Sequence, residues 1–217
     1  MNSRDEILTR VRKRLGHAAG SSGERRAAAE AILAARRQGP RPVAGADRIG
    51  AFCQRSLGLS SSVDRVVDRA AVPAAVARYL HGLGLVAEAV AWPEFADLDW
   101  AGSGIGVAFR PPHADDLIGI TGCYCALAET GTLILLSGAQ TPATTSLLPE
   151  THVAIIAASR IVAGMEDGFA LLRAEHGALP RAVNFVSGPS RTGDIEQTIV
   201  IGAHGPYRVH LVVVEDA

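Results

Sequence analysis

Ser187-Gly-Pro-Ser-Arg-Thr-Gly-Asp-Ile-Glu196, and after it Gly202-Ala-His-Gly-Pro206, follow directly on an apolar run, Ala182 to Val186. That run has the composition of a buried strand, so the polar residues after it are expected at the strand's carboxyl end, where open α/β sheets bind ligands. Glycines at 188, 193, 202 and 205 let the backbone adopt positive φ or come close to a ligand. Ser187, Ser190 and Thr192 bring hydroxyls, and Asp194, Glu196 and His204 bring acid–base groups. The plain alternative is a turn-rich connection with a helix cap over Asp194 to Gln197.

Upstream, elements alternate, which implies an α/β domain. A helix to about Leu57 precedes an apolar strand at Val63 to Val67, and a second helix enters through Pro73. Strands are expected at Leu85 to Ala91, Ile105 to Phe109 and Leu117 to Ile120, with a Trp/Pro/Asp-rich loop over Trp92 to Gly104. Thr121-Gly122 opens an Ala-rich turn or short helix that leads to Ala128-Glu-Thr-Gly-Thr132, and strands follow at Leu133 to Leu136 and His152 to Ala157. A helix over Glu166 to Glu175 with Phe169, Leu172 and Met165 inward, and a last strand over Arg208 to Glu215, complete the pattern. Glu129 lies between two apolar elements, where a carboxylate is costly unless it is paired or faces a pocket. An equally simple role is to cap the amides of Thr130 and Gly131.

Residues 1–45 read differently, as a helical N-terminal arm ahead of a domain over 46–217. Residues 3–15 form an amphipathic helix, with Ile7, Leu8, Val11 and Leu15 on one face and Arg4, Arg10, Arg12, Lys13 and Arg14 on the other. A flexible Gly/Ser joint, Gly16 to Gly23, leads to an Ala/Arg-rich helix that Gly39-Pro40 ends.

With 21 basic and 22 acidic residues and a net charge of −1, nothing global points to nucleic acid or an anionic membrane. The polar start and the lack of a long apolar run point to a cytoplasmic protein without a membrane span. Cys53, Cys123 and Cys125 match no disulfide, zinc or cluster spacing, and the histidines, among them His17, His152 and His210, read as solvated or hydrogen-bonded residues, so no metal is expected. Lys13 is the only lysine, which removes Walker-type phosphate loops and Schiff-base chemistry.

Thr121-Gly122, Ala128 to Thr132, Ser146-Leu-Leu-Pro149, Ser187 to Glu196 and Gly202 to Pro206, in this order, resemble the lactate utilisation (LUD) domain, in particular the lactate utilisation protein C family. The resemblance covers Asp115 to Glu215 most closely. It departs at Gly193, where the family commonly has Ala, and at Cys123-Tyr124, where it has a small residue and an acid. The likeness implies a three-layer α/β/α fold with a mainly parallel sheet, of the sugar-isomerase and coenzyme-A-transferase (NagB/RpiA-like) type. It also implies a part in bacterial oxidation of L-lactate to pyruvate beside two partner proteins, at least one with iron–sulfur clusters. With no cofactor of its own, this chain would be the cluster-free accessory subunit.

Two uses of the site follow. In the first, the Gly-rich segments hold a small organic acid or phosphate-bearing ligand through Thr130, Gly131, Thr132, Ser187, Gly188, Ser190, Arg191, Thr192, Glu196 and Gly205, with Arg191 as a charged fork. The N-terminal helices and Gly-rich loops dock the iron–sulfur partner. In the second, the chain is an isomerase- or acyl-transfer-like enzyme with Glu129 as base or nucleophile, His204 as its proton partner and Asp194 beside them.

Overall fold

The computed structural model describes residues 3–16, 22–42, 45–194 and 196–215. The expected joint at Gly16 to Gly23 and the placement of His17 fall largely or wholly outside these residues, as does Ile195 in the 187–196 stretch. The chain divides into two compact units, with the boundary between Arg41 and Pro42. The first holds α1 (Ser3–Arg14) and α2 (Ser22–Ala35). Acidic residues open α1 and basic ones close it, which complements the helix dipole.

The second unit runs α3 (Arg48–Gly58), β1 (Ser62–Val66), α4 (Val72–Gly82), β2 (Glu88–Ala91), β3 (Gly106–Ala108), β4 (Ile118–Thr121), β5 (Cys125–Leu127) and β6 (Thr132–Leu136). It continues with β7 (Thr151–Ala157), β8 (Ile161–Val162), α5 (Met165–Glu175), β9 (Val183–Val186), β10 (Arg191–Thr192), β11 (Val200–Ile201) and β12 (Arg208–Val214). Six strands form one sheet in the order β1-β12-β7-β4-β2-β3, every pair parallel. β4, β7 and β12 are buried along nearly their whole length, as befits parallel strands covered on both faces. This is the α/β fold expected from the alternation, with the mainly parallel sheet that the resemblance implies.

Succession along the sheet reverses between β2 and β4. The chain steps outward from β2 to β3, then returns to β4 and proceeds through β7 and β12 toward β1. Such a reversal leaves a crevice at the carboxyl ends of the two strands.

A second sheet, β8-β5-β6-β9, was not anticipated. Residues 125–127, read as part of a turn or helix, are a fully buried strand because β6 and β8 pair with them on either side. β9 runs antiparallel to β6 in this sheet and is only partly buried, with Phe185 41% exposed. The 187–206 loop therefore leaves a strand of the small mixed sheet, not of the open parallel one. Met165 is exposed rather than inward, while Leu172 is buried and Gly168 packs so closely that an added Cβ would stand 2.9 Å from Ile134 Cδ1.

His152 and His210 are buried in β7 and β12, and each is half satisfied. His152 Nε2 lies 2.8 Å from Thr121 Oγ1, and His210 Nδ1 lies 2.9 Å from Ser62 Oγ while its ring stacks on Tyr79 at 3.8 Å. Among the described residues His152 Nδ1 and His210 Nε2 have no partner, contrary to the expectation of fully bonded rings.

Candidate functional site

The two Gly-rich motifs do meet. Register pairs Leu133 with Val186, so Thr132 and Ser187 stand side by side at the ends of β6 and β9. Their hydroxyls are 2.7 Å apart, and Thr130 Oγ1 is 2.7 Å from Thr132 Oγ1, giving a chain of three hydroxyls with Thr132 buried in the middle. What the glycines approach is protein. Gly131 and Gly188 have positive φ, and a Cβ on either would run into the C-terminal end of α3, at Ser56 N and Leu59 O respectively. Arg191 continues this role: its Nη2 donates to Leu59 O at 2.7 Å and to Ser60 Oγ at 2.8 Å, so it caps the negative end of the helix dipole instead of standing free as an anion fork.

The remaining candidates separate. Glu129 is exposed; its N–H donates to Ala163 O, and the Gly131 N–H goes to Leu127 O, so no carboxylate cap forms there. His204 lies four residues before β12, at the amino end of the main sheet, and lines an open groove of about 640 Å³ with Leu147, Leu148, Glu150, Tyr207 and Arg208. Glu129 is not part of that groove, so the structure does not bring together the proposed base and its proton partner. Thr192 Oγ1 donates to Asp194 Oδ2 at 2.7 Å in an exposed local turn. Ser190 is tied through its backbone to Pro206 and Gly202, Gly205 packs on the Ser190 side chain, and Glu196 is exposed with φ +50°.

Sequence reasoning passed over the crevice at the sheet reversal. After β2, Trp92 N donates to Ile120 O, extending the ladder, and Glu94 lays its carboxyl against Gly122 at the end of β4. Glycine at 122 leaves room for that carboxyl: a Cβ there would overlap Glu94 Oε1 and turn it aside. Partial desolvation raises the Glu94 pKa above the usual carboxylate range, with the Arg69 charge and the Gly122 N–H pulling the other way. Arg69, just past β1, donates through Nη2 to Glu94 O and to Asp97 Oδ1 at 2.8 Å, and lies over the Phe95 ring at 5.1 Å.

These residues line a cavity of about 120 Å³ floored by Phe95, Ile155, Ala157 and Val214. Glu94 and Cys123 also face a neighbouring cavity of about 440 Å³ walled by Trp92, Tyr124, His176 and Pro180. Burial pushes the Cys123 thiol far above its usual range. Tyr124 stays neutral, its pKa raised to about 12 mainly by desolvation and by donation to Glu175. Arg160 fixes that wall: it makes paired bonds to Glu175 at 2.7 and 2.9 Å, donates to Tyr124 O, and stacks on the Tyr124 ring. The signal missed in the sequence was Trp92-Pro-Glu-Phe95, a carboxylate placed directly after a buried strand.

The pattern of the LUD domain matches residues 78–214, well over half of the protein. The chain belongs to the LUD domain family. Curated relatives include lactate utilization protein C of Geobacillus sp. (strain WCH70), 44% identical over 102 residues, and that of Bacillus subtilis (strain 168), 37% identical over 102 residues. Each match takes in 46% of this chain and 42% of the relative, so the chain spans less than half the length of these proteins. Among solved structures, a DUF162 family protein from Deinococcus radiodurans is similar with a TM-score of 0.61 and 27% identity, over 80% of this LUD chain and 99% of that one. Among the described residues no three metal-ligating side chains cluster, and no helix is long and apolar enough to cross a membrane.

Proposed function

We propose that this LUD protein is a cluster-free subunit of a bacterial system that oxidises L-lactate to pyruvate, holding a small anionic ligand and docking an iron–sulfur partner that carries the electrons. The observation that carries the reading is the identity with lactate utilization protein C, 44% over 102 residues in one relative. The thiol chemistry of the chain agrees with it. Cys53 sits on α3, while Cys123 and Cys125 flank Tyr124, and the Cys123 Sγ is spent on the Cys125 carbonyl oxygen at 2.8 Å. Three such thiols match no cluster spacing, which supports placing the clusters that take up the two electrons from lactate in a partner.

Docking falls to the N-terminal helices, whose described basic residues, Arg10, Arg12 and Arg14 among them, are exposed. The isomerase- or acyl-transfer-like alternative loses its base–acid pair once Glu129 and His204 lie apart. Reconstitution with the proteins encoded beside it tests the reading: lactate-dependent reduction of an electron acceptor should require this chain, and an undiminished rate without it would refute the proposal. Removal of residues 1–40 should abolish co-purification with the iron–sulfur partner; unchanged co-purification refutes the docking role.

A further inference from the structure

We propose that the crevice between Arg69 and Glu94 is a binding site for a three-carbon 2-hydroxy or 2-oxo carboxylate, with the ligand carboxylate on Arg69 and its C2 oxygen against the Glu94 carboxyl. This deepens the proposed function by giving its ligand a place and a chemical class, and it rests on that reading for the choice of lactate and pyruvate as probes. The site itself is built from geometry.

Position comes first. Glu94 follows β2 and Gly122 follows β4, the two strands between which the sheet order reverses, and Arg69 follows β1 at the same carboxyl edge. Size comes next. About 120 Å³ equals roughly four waters of liquid volume, far below the roughly 300–1,000 Å³ of sites for drug-sized ligands, so only a compact ligand fits.

The polar groups then define its chemistry. A guanidinium carries five N–H donors, and among the described residues Arg69 uses Nη2 alone, on Glu94 O and Asp97. Nε and Nη1 lie on different edges of the guanidinium, each edge completed by Nη2, so each remains to give a ligand carboxylate a single charged hydrogen bond, and the Phe95 ring beneath holds the guanidinium plane in place. Among the described residues Asp97 and Glu94 are the anions facing Arg69, and at 66% exposure the repulsion of a ligand by Asp97 is screened by solvent. Opposite, the Glu94 carboxyl is packed against Gly122. Ile155, Val214 and Ala157 supply an apolar floor for a methyl group.

The two ligand oxidation states read Glu94 differently. A 2-hydroxyl donates to the ionised carboxylate, whereas a 2-oxo oxygen only accepts and therefore needs the protonated acid. The other titratable groups facing Glu94 are Arg69, Asp97, Cys123, Tyr124 and His176.

The test is calorimetric titration of the full chain with L-lactate, pyruvate, acetate and inorganic phosphate between pH 5 and 8. Pyruvate affinity should fall with rising pH, by up to about tenfold per unit above the Glu94 pKa, while L-lactate affinity does not. Glu94→Gln, whose amide both donates and accepts, should bind pyruvate with no pH dependence. Arg69→Gln should weaken both ligands by roughly tenfold or more, the usual range for a lost charge-assisted bond. Gly122→Ala should weaken pyruvate by turning Glu94 aside.

Acetate binding as tightly as pyruvate, pH-independent pyruvate binding by the unaltered chain, or full affinity in a folded Arg69→Gln variant would each overturn the proposal. The pH series needs no variant, so it stands even if Arg69→Gln fails to fold. Failure here is separable from failure of the proposed function. A chain required for lactate-dependent electron transfer, with Arg69→Gln equally active, refutes the crevice alone. Pyruvate binding that depends on Arg69, in a chain dispensable for electron transfer, refutes the function alone.

Discussion

Gly119→Ala and Gly122→Ala are the same chemical change three residues apart, and the structure predicts opposite outcomes. A Cβ on Gly119 would stand 2.9 Å from Pro149 Cγ and 2.1 Å from Thr145 O, the latter more than 1 Å inside ordinary contact, which begins near 3.4 Å. The obstructing carbonyl belongs to the turn Ala143–Ser146, where Thr145 and Ser146 are fully buried and Trp92 Nε1 donates to Pro142 O at 3.2 Å. Either that turn or the central strand β4 must shift, and such overpacking costs about 1–3 kcal/mol. For a domain of this size that is a fall in Tm of roughly 2–12 °C.

On Gly122 the Cβ would stand 2.2 Å from Glu94 Oε1, the free end of a rotatable side chain. Turning that carboxyl aside costs at most what one hydrogen bond is worth, about 0.5–1.5 kcal/mol, and is offset by about 0.4–1 kcal/mol from the stiffer unfolded chain. Its Tm should stay nearly unchanged. Thermal unfolding followed by circular dichroism reads both variants side by side. Equal shifts, or a larger loss for Gly122→Ala, would refute the placement of the two glycines against a rigid and a movable neighbour.

Other outcomes follow from the hydrogen bonds and buried charges. Thr132→Val removes the middle of the hydroxyl chain and should cost about 0.5–1.5 kcal/mol, since Thr130 and Ser187 can turn to water; a double-mutant cycle with Ser187→Ala should show coupling, and strict additivity would contradict the contact. Burial holds the pKa of both His152 and His210 at about 4, below the usual 6.5. Both stay neutral in the native state while the unfolded chain takes up protons, so stability should be full above about pH 6.5 and fall as pH drops toward 4. The slope approaches about 2.7 kcal/mol per pH unit for two protons; urea unfolding between pH 7.5 and 5 measures it, and a flat profile refutes it. Glu175, held near 2 chiefly by Arg160 and then by Tyr124, contributes stability present above its unfolded pKa of 4.5 and lost toward pH 2. Glu175→Gln should flatten the acid limb of thermal unfolding below pH 4.5, and an unaltered limb would contradict the Arg160 pairing.

The main sheet was legible because β4, β7 and β12 are short apolar, largely β-branched runs bounded by polar turns, and β1 carries Val63 and Val66. The small sheet was not, since sheet membership is decided by tertiary pairing. Cys125-Ala-Leu127 is three residues long and becomes a strand only between β6 and β8, while Val183–Val186 looks like any parallel strand until β6 pairs with it antiparallel. The Gly-rich motifs were correctly singled out as unusual, and the meeting of Thr132 with Ser187 could be expected. Their purpose differs: Gly131, Gly188 and Arg191 wrap the end of α3. Glycine marks a close approach without naming what is approached. The Arg69–Glu94 crevice left almost no trace, because its residues lie 25 positions apart and meet only through the shared carboxyl edge of β1 and β2.

The most direct measurement of the central claim is lactate-dependent acceptor reduction by the reconstituted partners as this chain is titrated in. The rate should rise with added chain and saturate near one equivalent, with no lactate-dependent reduction in its absence. A rate already maximal without the chain, and unmoved by its addition, would contradict that claim.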